Sequence, residues 1–262
     1  MIDVDRYGPW AVIAGGSEGV GAAMARDLAA AGFNLVLLAR KPGPLADLEQ
    51  ELTGSGVQVR TIAVDLLADD LLDRIRAATD DVEVGLYVHN AGANSYRSEF
   101  VDSDPAGVQG VIDLNVTAPL TLVRHFGSRM KQRGRGGIIL VGSLSAFSGT
   151  PIISIYSAAK AFLRIFAEGL WAELRPYGVD VLDVTLGLTR TPAMERLGYS
   201  FDTPGVRSSD PAVVAAEGLA HLGDGPSWVV DGNLDSAIAL SAFPRADVVG
   251  PAAERYRAQI GA

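Results

Sequence analysis

W10-A-V-I-A-G-G-S-E-G-V-G21 begins with five apolar residues, the length of a buried strand, and continues through a glycine-rich turn into a segment of helical pattern at 19–31. A short buried strand that passes through such a turn into a helix is the opening of a βαβ unit. Glycines at 15, 19 and 21 leave a bare backbone at the helix start, where the first amides have no partner within the helix and attract an anion such as a pyrophosphate. The spacing is G-x-x-x-G-x-G and departs from the G-x-G-x-x-G dinucleotide fingerprint. On its own the turn therefore makes nucleotide binding an expectation that the rest of the chain has to support.

The same alternation continues outward. NLVLLA (34–39), VQVRTIAV (57–64), VGLYVHN (84–90), GIILVG (137–142) and VDVLDVTL (179–186) read as further strands, too apolar for strict alternation and hence buried on both faces. Helical patterns lie between them at 44–53, 69–78, 106–133 and 155–176, with another at about 211–222, and SWVV (227–230) reads as a last strand. Strands alternating with helices predict an α/β fold, a Rossmann-type doubly wound parallel sheet with helices on both faces, whose ligand site lies beyond the C-terminal ends of the strands. With no linker-like stretch, residues 1–262 are expected to form a single domain. The segment 188–210 lacks periodicity and holds two prolines and two glycines, which predicts a substrate lid, and the tail is expected to be helical from Ala252.

Composition narrows the function classes. The 262 residues include no cysteine, which excludes disulfides, thiol catalysis and cysteine-ligated zinc, and the three histidines, His89, His125 and His221, have no metal-ligand spacing. Twenty-two basic against 31 acidic residues, a net charge of −9, argue against a nucleic-acid partner. No run approaches 18 consecutive apolar residues, and MIDVDRYGPW lacks the regions of a secretory signal, so no membrane partner and a cytoplasmic location are expected.

Two further sites carry chemistry. Arg40, with Lys41 beside it at the end of the second strand and Ser17 in the turn, suits a ribose 2′-phosphate, where an acidic residue would instead accept from a 2′-hydroxyl, so NADP(H) is favoured over NAD(H). In S154-I-Y-S-A-A-K-A-F162, Tyr156 and Lys160 stand four apart and share a helix face among small and apolar neighbours.

Together G15-x3-G19-x-G21, N90-A91-G92, Asn115, Ser143 and Y156-x3-K160 resemble, in order and spacing, the short-chain dehydrogenase/reductase family, over about Trp10 to Thr191 and more loosely at WVVDG (228–232). The resemblance implies hydride transfer between a nicotinamide and a carbonyl or alcohol, on a homodimer or homotetramer. It implies Tyr156 as acid/base, with Lys160 lowering its pKa and holding the nicotinamide ribose, Ser143 as the donor to the substrate oxygen, with Ser145 and Ser148 as competitors, and Asn115 as the residue that kinks the fourth helix and holds a relay water. Cofactor contacts are implied for Gly15, Ser17, Glu18, Gly19, Val20, Gly21, Arg40, Asp65, Leu66, Asn90, Ala91, Gly92, Tyr156, Lys160, Thr189 and Thr191; Asp65 is equally at home as a helix cap before 69–78.

Three positions depart from the family pattern. Ala14 replaces the usual threonine, His89 the first asparagine of Asn-Asn-Ala-Gly, and Leu186 the proline of a Pro-Gly; His89 is expected to be a structural substitute that braces the cofactor loop. Phe147, Ile152, Ile153, Met194, Leu197 and Tyr199 are expected to form an apolar pocket for a hydrophobic carbonyl. The alternative is a nucleotide-binding sensor or scaffold without turnover, against which the joint presence of Ser143, Tyr156 and Lys160 argues, because a binder needs no acid/base tyrosine.

Overall fold

The computed structural model describes residues 2–199, 201, 207–230 and 232–260, with side chains through Arg257. Within 188–210, residues 200 and 202–206 lie outside the described residues, as does Asp231 of WVVDG. Seven strands form one parallel sheet: β1 (Trp10–Ala14), β2 (Asn34–Ala39), β3 (Val59–Ala63), β4 (Val84–His89), β5 (Gly136–Val141), β6 (Val179–Thr185) and β7 (Ser227–Val229), in the order β3-β2-β1-β4-β5-β6-β7. The order reverses direction between β1 and β4, so the connections leaving these strands diverge to opposite sides and open a crevice at their C-terminal ends.

Side-chain alternation along the strands splits the core. Ala11 and Ile13 of β1 face a layer that includes α2 (Gly19–Ala30), α3 (Pro42–Thr53) and α9 (Pro211–Ala220), through Met24, Leu28, Leu45 and Val214. Trp10, Val12 and Ala14 face the opposite layer, α4 (Leu71–Thr79), α6 (Ala118–Arg133) and α7 (Ser154–Leu174), through Ile75, Leu122, Phe126 and Leu163. Each face is thus a continuous apolar layer, the reason the strands show no polar alternation.

The expected single helix 106–133 is three pieces: α5 (Pro105–Ile112), a π turn (Asp113–Thr117) and α6. By length and composition Pro105–Arg133 could pass for a membrane span, but here it packs on β4 and β5 and buries Leu122, Phe126 and Met130. The segment 188–210 is less irregular than expected. It contains α8 (Pro192–Arg196), started by Pro192 and capped by the Thr191 hydroxyl, which accepts from the Met194 amide at 3.3 Å. The last helix starts earlier than Ala252, as α11 (Arg245–Ile260), after α10 (Leu234–Ser241); a short α1 (Val4–Tyr7) precedes β1.

Candidate active site

The β1 and β4 loops lock together at the crevice. Asn90 donates from Nδ2 to the Gly15 carbonyl at 2.8 Å, and the Asn90 and Ala91 amides donate to the Ala14 carbonyl at 2.9 and 2.8 Å. Gly15 has φ +81°, and a Cβ there would come within 2.8 Å of the Ala91 nitrogen, while one on Gly21 would collide with the Gly15 carbonyl oxygen. Gly19, at φ +56°, turns toward the Thr191 methyl. The glycines are therefore fixed by close approach of backbone to backbone and to Thr191.

Two adjoining cavities flank this junction. One of about 210 Å³ is bordered by Gly15, Ser17, Arg40, Asp65, Leu66 and Ala91. The other, of about 350 Å³, has Gly19, Val20, Ser143, Tyr156, Lys160 and Thr189 on its wall; Glu18, Asn90 and Gly92 border both. Arg40 and Lys41 are exposed and have no carboxylate partner among the described residues. Asp65 does not cap α4, whose N-cap is Asp70; its Oδ1 accepts from the Leu67 amide at 3.0 Å. Thr189 is buried and donates to the Gly187 carbonyl at 3.2 Å. A bare backbone at a helix start and a cleft continuous with the second cavity fit an elongated dinucleotide.

At the second cavity Tyr156 is half-buried in the first turn of α7, and Lys160, 4% exposed, follows one turn later. Lys160 Nζ donates to the Val141 carbonyl at 2.9 Å and stands 5.8 Å from the Tyr156 ring centroid. Ser143, just beyond β5, accepts from the Ser145 amide at 3.1 Å and faces the phenol. Burial pushes Tyr156 up to about 12, with Ser143 pulling the other way. The expected depression of the phenol by Lys160 is therefore not what the structure shows: desolvation dominates and the ammonium is turned to Val141. At neutral pH Tyr156 keeps its proton, the form able to donate to a carbonyl oxygen.

Asn115 sits in the π turn, which aims it at this point. Its Nδ2 donates to the Ala93 and Val111 carbonyls at 3.1 and 2.9 Å, while Oδ1 is buried without a partner. A Cβ on Gly92 would lie 2.9 Å from that oxygen and 3.1 Å from Lys160 Nζ, so the missing side chain keeps a path open between them. Asn90 and the backbone lock the cofactor loop, and His89 lies directly against it, with its ring in reach of the Ala91 backbone. Its Nδ1 meets the Tyr87 hydroxyl at 2.6 Å inside the core, and burial, then the charge of Lys160, pull it down to about 3, so it stays neutral.

Other participants were not visible in the sequence. Asp183 on β6 is fully buried; its Oδ2 accepts from the Thr185 and Ser227 hydroxyls at 2.6 and 3.4 Å, its Oδ1 has no partner, and burial raises it to about 6. Its charge opposes the burial that pushes Lys160 down to about 8. Arg196 of α8 pairs with Glu18 at 2.5 Å, tying α8 to the glycine turn. Of the expected apolar pocket, Ile153, Met194, Leu197 and Tyr199 line the second cavity, joined by Tyr256 of α11. Phe147 and Ile152 do not: Phe147 lies under the Arg164 guanidinium, and Ile152, held at φ +55°, faces a smaller neighbouring cleft.

Residues 9–199 match the family model described as short chain dehydrogenase. The chain belongs to the short-chain dehydrogenase family. It is 31% identical over 219 residues to the very-long-chain 3-oxoacyl-CoA reductase of Mus musculus, spanning 82% of this chain and 70% of that one. Among solved structures, one of a 7beta-hydroxysteroid dehydrogenase superposes with a TM-score of 0.87 at 27% identity over the full length of both chains. A short-chain dehydrogenase from Sphingobium yanoikuyae in complex with NADPH superposes with a TM-score of 0.77 at 30% identity, over 88% of this chain and 92% of the other. Membership makes the chain an oxidoreductase of the nicotinamide-dependent kind.

Proposed function

We propose that this short-chain dehydrogenase uses NADP(H) to interconvert a carbonyl and an alcohol on a largely apolar substrate, with Tyr156 as the proton donor in reduction. The observation that carries this is the convergence of Ser143, Tyr156 and Lys160 on one wall of the cavity that adjoins the glycine turn. When bound, the reduced nicotinamide supplies the hydride for the carbonyl carbon. Ser143 and Tyr156 hold the carbonyl oxygen; Tyr156 gives it the phenolic proton, leaving an alcohol. Lys160 and the unpartnered Oδ1 of Asn115 form the polar path on which a water can return that proton. Gly15, Glu18, Gly19, Val20 and Gly21 receive the pyrophosphate, Asn90, Ala91 and Gly92 shape the cleft beside it, and Thr189 and Thr191 take the carboxamide side. Asp65 and Leu66 border the adenine end.

Arg40, Lys41 and Ser17 support the preference for NADP(H), since an exposed cation pair without a carboxylate partner suits a 2′-phosphate. The apolar wall of Leu144, Ile153, Leu186, Leu188, Met194 and Leu197 supports a hydrophobic carbonyl. NADPH consumption followed against a panel of ketones and aldehydes, from short to steroid- and acyl-sized, tests the reading. We expect turnover of one or more bulky apolar carbonyls with NADPH preferred to NADH. NADPH binding without turnover of any of them would instead point to a sensor.

A further inference from the structure

One end of the substrate cavity is not apolar. Arg97, in the loop that follows β4, borders it and is half-buried. Its guanidinium lies over the Tyr199 ring, 5.2 Å from the centroid. With the Asn94 amide oriented to donate to the Tyr96 carbonyl, Asn94 accepts from Arg97 Nε at 3.2 Å. That leaves both terminal nitrogens without an acceptor among the described residues. A half-buried guanidinium facing no carboxylate is unusual, because desolvating a charge costs free energy that a partner normally offsets. Tyr256 of α11 borders the same cavity, and its buried hydroxyl has the Tyr199 phenol as its nearest polar neighbour. Burial first and then the Tyr199 phenol raise the Tyr256 pKa, and Arg97 lowers it, which puts all three groups within electrostatic reach of one another. The other charges bordering the cavity are engaged elsewhere: Glu18 with Arg196, and Lys160 with Val141.

We propose that Arg97, with the Tyr199 and Tyr256 hydroxyls, is an oxyanion-binding subsite, and that the substrate is an apolar carbonyl compound carrying a carboxylate or phosphate group remote from the reacting carbon. The planar fork of a guanidinium suits either anion, its stacking on Tyr199 fixes its plane, and each phenol adds a donor. The subsite lies on segments distant in the chain, so an anion there also ties α11 to the loop after β4. This inference rests on the carbonyl-reductase reading. The test compares a series of oxo fatty acids, differing in carbonyl position, with their methyl esters and with ketones bearing a terminal phosphate. We expect at least one acid or phosphate to show a KM roughly 10- to 100-fold below its neutral counterpart, and Arg97→Gln to abolish that gap while leaving the esters within a few fold. A larger gap for the acids identifies the carboxylate and a larger gap for the phosphates the phosphate. Equal KM for charged and neutral forms throughout the series, or equal losses on both in Arg97→Gln, would overturn the proposal. If nothing in the series is turned over, the reductase reading fails separately; equilibrium binding of the same acids and esters to the NADPH-loaded protein, wild type and Arg97→Gln, still decides the subsite by the same comparison.

Discussion

Single residues set the chemistry through desolvation. Because burial places Tyr156 at about 12, alcohol oxidation, which needs the phenolate, should rise with pH from 7 to 10, whereas carbonyl reduction proceeds from the protonated phenol at neutral pH. An oxidation rate with its optimum at or below pH 7 would contradict this. Lys160, pushed down to about 8, should lose its charge across the mildly alkaline range, and NADPH should bind more weakly there. Asp183 supports the ammonium, so Asp183→Asn should move that weakening to lower pH; an unchanged profile of NADPH Kd against pH would show that the two charges do not communicate. Arg40→Ala should weaken NADPH relative to NADH by about 1.5–3 kcal/mol, the loss of a charge-assisted bond, and equal weakening of both cofactors would exclude the 2′-phosphate contact. His89 bears on stability. Its folded-state pKa of about 3 lies below the ordinary 6.5, so the unfolded chain takes up a proton that the folded one refuses, and stability is lost as pH falls through 6.5. Asp183 works the other way, because its raised pKa favours the folded state as pH falls through 6. A denaturation midpoint that drops less on acidification in His89→Phe than in the wild type is expected.

Among elements, the strands and the long helices were legible because each buries a face, and burial writes a period into the sequence. The glycines at 15 and 21 were legible because a close approach of two backbones admits no other residue, and Gly19 because of its positive φ against Thr191. What stayed hidden has in each case a tertiary cause. Asp183 sits in an apolar strand whose environment depends on Ser227 from a later strand. Arg97 and Tyr256 lie far apart in sequence and meet only because α11 reaches the substrate cavity. The helix α8 was missed because five residues give too short a period to detect. Its link to the glycine turn, Arg196 to Glu18, is exposed and so contributes at most about 1 kcal/mol, which makes α8 easy to lift and to reseat. We expect hydrogen exchange over 188–199 to slow when NADPH binds and to quicken in ligand-free Arg196→Ala; no change over this segment in either experiment would remove the lid from the account.

At the scale of the whole molecule, the reversal of strand order between β1 and β4 and the two apolar layers hold the cofactor cleft and the substrate cavity against one another. The outer faces of α6 and α7 also leave Leu120, Phe162 and Ile165 exposed, at 37%, 41% and 54%. We propose that a second copy covers the α7 face of Phe162 and Ile165 in a homodimer or homotetramer, and light scattering should show Ile165→Glu shifted toward monomer, an outcome a wild-type monomer would contradict. In the proposed function hydride and proton meet at one carbonyl, and Tyr156 is the proposed donor of the proton. The most direct test is to measure kcat with a turned-over carbonyl, together with NADPH Kd, for Tyr156→Phe. The expected result is a loss of roughly 10²–10⁴ or more in kcat with NADPH affinity nearly unchanged, because the phenol acts on substrate oxygen and the ring remains. A Tyr156→Phe enzyme that turns over within a few fold of wild type would contradict the assignment of Tyr156 as the proton donor.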